Sequence, residues 1–158
     1  MNGTLQTGIH FGLTSGVITT LGLMVGLHSG THSLLAVVGG ILTIAIADAF
    51  SDALGIHISE EAENVHTATE IWIATGATFL TKLLMALTFL VPVLICELPT
   101  AIILSIVWGL GVLVVLSYRL ARAQRIRPWK VIGEHLIIAV AVIMMTHLIG
   151  DWVAASFK

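Results

Sequence analysis

The residues best placed to do chemistry lie in "ADAFSDALGIHISEEAEN", positions 47–64. Asp48 and Asp52 are i and i+4, so on a helix they stand one turn apart on one face, with Ser51 beside them. The stripe continues through Gly55, Ser59 and Glu63. The preceding run, "LLAVVGGILTIAI", is apolar enough to lie in lipid. An acid at mid-bilayer costs on the order of 2.5–3.5 kcal/mol on insertion scales, so two of them must face a cavity, a partner helix or a cation. Carboxylates beside hydroxyl oxygens form a hard site that suits Mg²⁺, Mn²⁺ and Fe²⁺ better than Cu⁺. They can also exchange protons where burial raises their pKa. The alternative is structural: ion pairs or hydrogen bonds to Lys82, His10, His147 or hydroxyls of the first span.

Past this pair, His57, Glu60, Glu61, Glu63, His66 and Glu70 gather at the end of the same segment. They read either as a vestibule that concentrates cations or as a solvated helix end. Lys82 lies well inside a later apolar run, as a counter-ion of an aspartate or as a snorkelling side chain. Glu134 suits a helix N-terminus through the dipole alone. Asp151 and Trp152 end the last apolar segment, where Trp is an interfacial anchor. Met144 and Met145 are adjacent and read as packing residues. The single Cys96 excludes an intramolecular disulfide and any multi-cysteine metal site. No H-E-x-x-H, G-x-S-x-G or phosphate loop is present, and the histidines are scattered, so the sequence does not read as an enzyme.

The elements that must carry these groups are membrane helices. The 158 residues are 57% hydrophobic and 10% charged, with mean hydropathy +1.03, against about 25% charged in a soluble domain. A formal net charge of −2 gives no sign of nucleic-acid binding. A span needs roughly 20 apolar residues. The pattern predicts five, over about 8–28, 34–58, 70–95, 100–119 and 131–153, in a single transmembrane domain. The breaks are short, so successive spans should pack antiparallel. Arg119, Arg122, Arg125, Arg127 and Lys130 lie between the fourth and fifth spans and place that loop in the cytoplasm. Counting back, the N-terminus and the acidic cluster are cytoplasmic and the C-terminus is outside. The N-terminal stretch lacks a basic n-region and a cleavage site, so the first apolar segment reads as a span rather than a removed signal. Within it Gly8, Gly12 and Gly16 recur every four residues, and Gly22 and Gly26 repeat the spacing. Such a face lets another backbone approach closely. It serves packing within the chain, packing on a second copy, or the lining of a path.

"ADAFSDALGIHISEEAE" resembles the second-helix signature of the vacuolar iron transporter family, A-D-A-I-S-M-G-L-G-D-Y-L-S-S-K-A-E, without a gap. Asp48, Ala49, Ser51, Leu54, Gly55, Ser59, Ala62 and Glu63 match. "GLTSGVITTLGLMVGL" (12–27) is similar to the family's first helix, and "RLARAQRIRPWKVIGEHLIIAVAVIMMTHLIG" to its last basic turn and helix. The resemblance implies a homodimer of five-helix subunits, and the expected location is the cell's inner membrane. Such a dimer exports Fe²⁺, and often Mn²⁺, from the cytoplasm in exchange for protons, along a path between subunits lined by the first helix. No permanently bound cofactor is implied; the metal is cargo. Three departures stand out. The family's first-helix aspartate falls on Ser15, and its second-helix methionine on Asp52. The glutamate-rich cytoplasmic insert is reduced to "EEAENVHTATE". A soft ligand is lost and a carboxylate moves from one helix to the other.

The leading expectation is therefore a proton-coupled divalent-cation transporter. Asp48 and Asp52 would be central ligands, Ser15 and Ser51 would lend oxygens, and Glu60, Glu61 and Glu63 would gather cations. The competing expectation is a non-transporting membrane scaffold or partner subunit whose aspartates form structural ion pairs.

Overall fold

The computed structural model describes residues 2–157, and every element among them is helical. The helices are α1 (Asn2–Thr31), α2 (Leu34–Glu63), α3 (Ala68–Thr88), α4 (Leu90–Ile95), α5 (Leu98–Ala123) and α6 (Pro128–Ser156). Five stretches are long and apolar enough to cross a membrane, because α3 and α4 together make one span, Ala68–Ile95. The helices run past the predicted spans at most ends, since residues such as Thr4, Glu60 and Arg122 remain helical while leaving the apolar zone.

Local chemistry fixes several ends. Ser33 caps α2, its hydroxyl accepting from the Ala36 N–H at 3.3 Å. Asn64 closes the same helix in the left-handed region at φ 53°, a conformation its short polar side chain tolerates. Thr67 and Glu70 form a reciprocal capping box on α3, the Thr67 N–H donating to Glu70 Oε2 at 3.0 Å. Pro128 begins α6, where its missing N–H costs nothing. The predicted third span is interrupted at Phe89. Pro92 supplies no N–H to the carbonyl four residues back, at Thr88, and its ring crowds that carbonyl. At the break the Thr88 hydroxyl donates to the Met85 carbonyl at 2.7 Å and accepts from the Trp108 indole of α5 at 3.1 Å.

The helix α1 is the central element. Gly8, Gly12 and Gly16 meet Ala74, Thr78 and Lys82–Met85 of α3 in matching order. Gly22, Gly26 and Gly30 meet Val142, Thr146 and Gly150 of α6. Hence α1, α3 and α6 run parallel to one another. The register of His57 with Thr75 and of Asp52 with Lys82 makes α2 antiparallel to α3. The glycine face is thus filled inside the chain at both levels, and a second copy cannot use those same positions. Val17, Leu21, Met24, Ile41, Phe89 and Leu113 centre the core. The outer surface is apolar: Leu42, Ile46, Phe50, Leu54 and Ile58 form an exposed stripe on α2. A stripe of this kind is untenable in water and ordinary against lipid. Met144 and Met145 are also exposed. They face outward rather than packing, because α6 packs on the bundle chiefly along the face that meets α1 and α5.

Candidate functional site

On α2 the buried row runs Val37, Ile41, Ala45, Ala49, Ala53 and Glu60. Asp48 and Asp52 each stand one position before a buried alanine, at the border of this row. Their side chains retain 20% and 18% exposure. Opposite them α3 presents Lys82, whose side chain is only 2% exposed. Its ammonium lies 2.6 Å from Asp48 Oδ2, is ion-paired and hydrogen-bonded to Asp52 Oδ2, and donates to Ser15 Oγ of α1 at 2.8 Å. An ammonium has three N–H donors, and three oxygens from two other helices meet it here. The formal charge of the two carboxylates and one ammonium is −1.

Of the residues expected to contribute, Asp48, Asp52 and Ser15 converge. Ser51 does not: it lies on the exposed face of α2. One residue before Asp52 is a rotation of about 100°, enough to carry it out of the contact. The expected stripe through Gly55, Ser59 and Glu63 is likewise exposed. The inward line continues to Glu60 instead, seven residues or about two turns past Ala53. Glu60 is 7% exposed, and its Oε2 lies 3.2 Å from His66 Nε2. Glu61 and Glu63 point outward, with Glu63 3.9 Å from the same imidazole. The acidic cluster is therefore one buried carboxylate with a histidine partner, flanked by solvated acids. Glu60 stands eight residues from Asp52, about 12 Å along the helix.

Two further polar groupings lie apart from this centre. His57 Nδ1 is 2.9 Å from Thr75 Oγ1, and its ring sits 4.7 Å from that of Trp72. It lines a cavity of about 410 Å³ between α2 and α3 with Phe50, Leu54 and Phe79. So His57 belongs to an apolar groove and not to the acidic end. At the opposite end of the bundle, Ser29 of α1 donates to the His147 carbonyl at 3.0 Å and to Asp151 Oδ1. Asp151 Oδ2 lies 3.5 Å from His147 Nε2. The i, i+4 spacing of His147 and Asp151 signals this pair in the sequence; its link to Ser29 needs the fold.

Among the described residues no three His, Cys, Asp or Glu side chains converge in a metal-binding arrangement. The centre offers two carboxylates and one hydroxyl. No family model matches the chain, and neither does any curated protein or solved structure.

Proposed function

We propose that the protein exports divalent cations, Fe²⁺ or Mn²⁺, from the cytoplasm in exchange for protons, with Asp48 and Asp52 as the central ligands. The observation that supports this reading is the unequal charge at the centre. A purely structural ion pair closes at neutrality, whereas two carboxylates here share one ammonium. Their partial exposure at the border of α2 leaves the excess charge able to meet a cation. Hard oxygen donors favour Mn²⁺ and Fe²⁺ over soft ions. Protonation of the carboxylates would weaken their hold and release the cargo, which couples the two movements.

In this reading Ser15 lends the third oxygen. Water and the α1–α2 face of a second copy supply the remainder, so the path runs at a homodimer interface. The five basic residues from Arg119 to Lys130 hold their end of the bundle in the cytoplasm. Glu60 and His66 form the inner mouth there, with Glu61 and Glu63 drawing cations toward it, and the membrane is the cell's inner membrane.

A second reading has its own support: among the described residues, Lys82 is the one partner of both carboxylates. That is what a static scaffold or partner subunit with structural ion pairs would show. Liposomes decide between them. The reconstituted protein should carry Mn²⁺ or Fe²⁺ inward or outward under a proton gradient, with a matching change in internal pH. Absence of divalent flux under either gradient removes the transport reading. Flux that survives both Asp48→Asn and Asp52→Asn keeps transport and removes this site.

A further inference from the structure

The cation position between Asp48, Asp52 and Ser15 is already filled, by a part of the protein itself. The Lys82 ammonium hydrogen-bonds Asp52 and Ser15 and is ion-paired with Asp48, 2.6 Å from its Oδ2. These are the same three oxygens that the transport reading assigns to a metal ion. Two cations cannot share them. A metal at bonding distance of both carboxylates would stand about 2 Å from their oxygens, in the space Nζ now takes.

We propose that Lys82 is a tethered resident cation, which incoming cargo must displace from the carboxylates, and that this competition selects divalent over monovalent ions. The inference rests on the transport reading above and adds what governs access to its site. The ammonium is held on a buried stem, so its local concentration is fixed and high, and displacement is an exchange rather than a simple binding event. A monovalent ion offers the carboxylates the same charge as the ammonium it must evict, without its directed hydrogen bonds to Asp52 and Ser15. A divalent ion offers twice the charge against the same oxygens. Lys82 would therefore suppress Na⁺ and K⁺ binding almost completely and weaken divalent binding in proportion to the strength of its own contacts.

The test uses the full chain in detergent micelles with Mn²⁺ as probe, its free fraction read by electron paramagnetic resonance, and K⁺ as competitor. Wild type should bind Mn²⁺ weakly and be unaffected by 100-fold excess K⁺. Lys82→Met should bind Mn²⁺ at least tenfold more tightly, and that binding should now be reduced by K⁺. Lys82→Arg keeps the charge and offers a fork of five donors that two carboxylates can grip more firmly. It should bind Mn²⁺ at least tenfold more weakly than wild type. If Lys82→Met does not yield folded protein, the arginine variant carries the test alone. Mn²⁺ binding by wild type that is unchanged, or weakened, in folded Lys82→Met overturns the proposal and leaves the transport reading standing; so does unchanged binding in Lys82→Arg. Failure of wild type and folded Lys82→Met alike to bind Mn²⁺ overturns the cation site and this inference with it.

Discussion

The hydroxyl of Ser15 on α1 accepts a hydrogen bond from the buried ammonium of Lys82 on α3, across 2.8 Å. Through it the central helix takes part in a charged centre otherwise built by α2 and α3. Replacing Ser15 with alanine leaves one ammonium N–H without its oxygen in a buried site, which costs about 1–3 kcal/mol. Thermal unfolding in detergent should show a lower midpoint for Ser15→Ala, with Ser51→Ala, on the exposed face of α2, unchanged as the control.

The two aspartates should not be equivalent to other acids. In the liposome assay, Asp48→Asn and Asp52→Asn should each lower Mn²⁺ flux at least tenfold. Glu61→Gln, on the solvated side of α2, should lower it less than twofold. Glu60→Gln should fall between them and also lower the unfolding midpoint, since the carboxylate is buried beside His66. Equal effects of Glu60→Gln and Glu61→Gln would remove the distinction between inward and outward acids.

The glycines divide into two classes that a single assay separates. A Cβ at Gly12 would meet Thr81 Oγ1 and stand 2.7 Å from the Thr78 carbonyl. One at Gly150 would stand 2.5 Å from the Gly26 carbonyl and 2.8 Å from Ser29 Cβ. Gly55 and Gly76 have nothing within 4 Å. Gly12→Ala and Gly150→Ala should lower the unfolding midpoint, at a cost of about 1–3 kcal/mol typical of overpacking. Gly55→Ala and Gly76→Ala should leave it unchanged or raise it, by about 0.5–1 kcal/mol for a helical Gly-to-Ala change.

Much of this architecture is legible in the sequence, and the limits are physical. Length and hydropathy delimit five spans because a bilayer demands them. The i, i+4 spacing puts Asp48 and Asp52 on one face. Lys82 is recognisable as a possible counter-ion, but its choice over His10 or His147 depends on the register of α2 against α3. In the fold that register sets His57 against Thr75 and Asp52 against Lys82. Which side of α2 turns inward is not legible, because α2 is apolar nearly all round and its pattern marks no preferred face. For that reason Ser51 and Glu63 look equivalent to Glu60 in the sequence and are not in the fold. The interruption at Phe89 is foreshadowed by Pro92, within a run whose hydropathy alone reads as continuous.

Topology is testable through the one thiol. Cys96 ends α4 and is partly exposed. On the proposed orientation, with residues 124–127 in the cytoplasm, it should react with a membrane-impermeant maleimide added outside intact cells. In a Cys96→Ser background, Gln124→Cys should react only after the membrane is opened. The reverse pattern would invert the orientation and, with it, the direction of export.

The helix α1 meets α3 and α6 through glycine on two faces, one in each half of its length. Thr81 and Met85 of α3 and Val142 and Thr146 of α6 fill the notches these glycines leave, so α1 is seated like a key in its slot. Polar contacts add to this seating, Ser15 on Lys82 in one half and Ser29 on Asp151 in the other. The central helix is thus locked along its length, and the ward at Ser15 is the one that shares its oxygen with the charged centre.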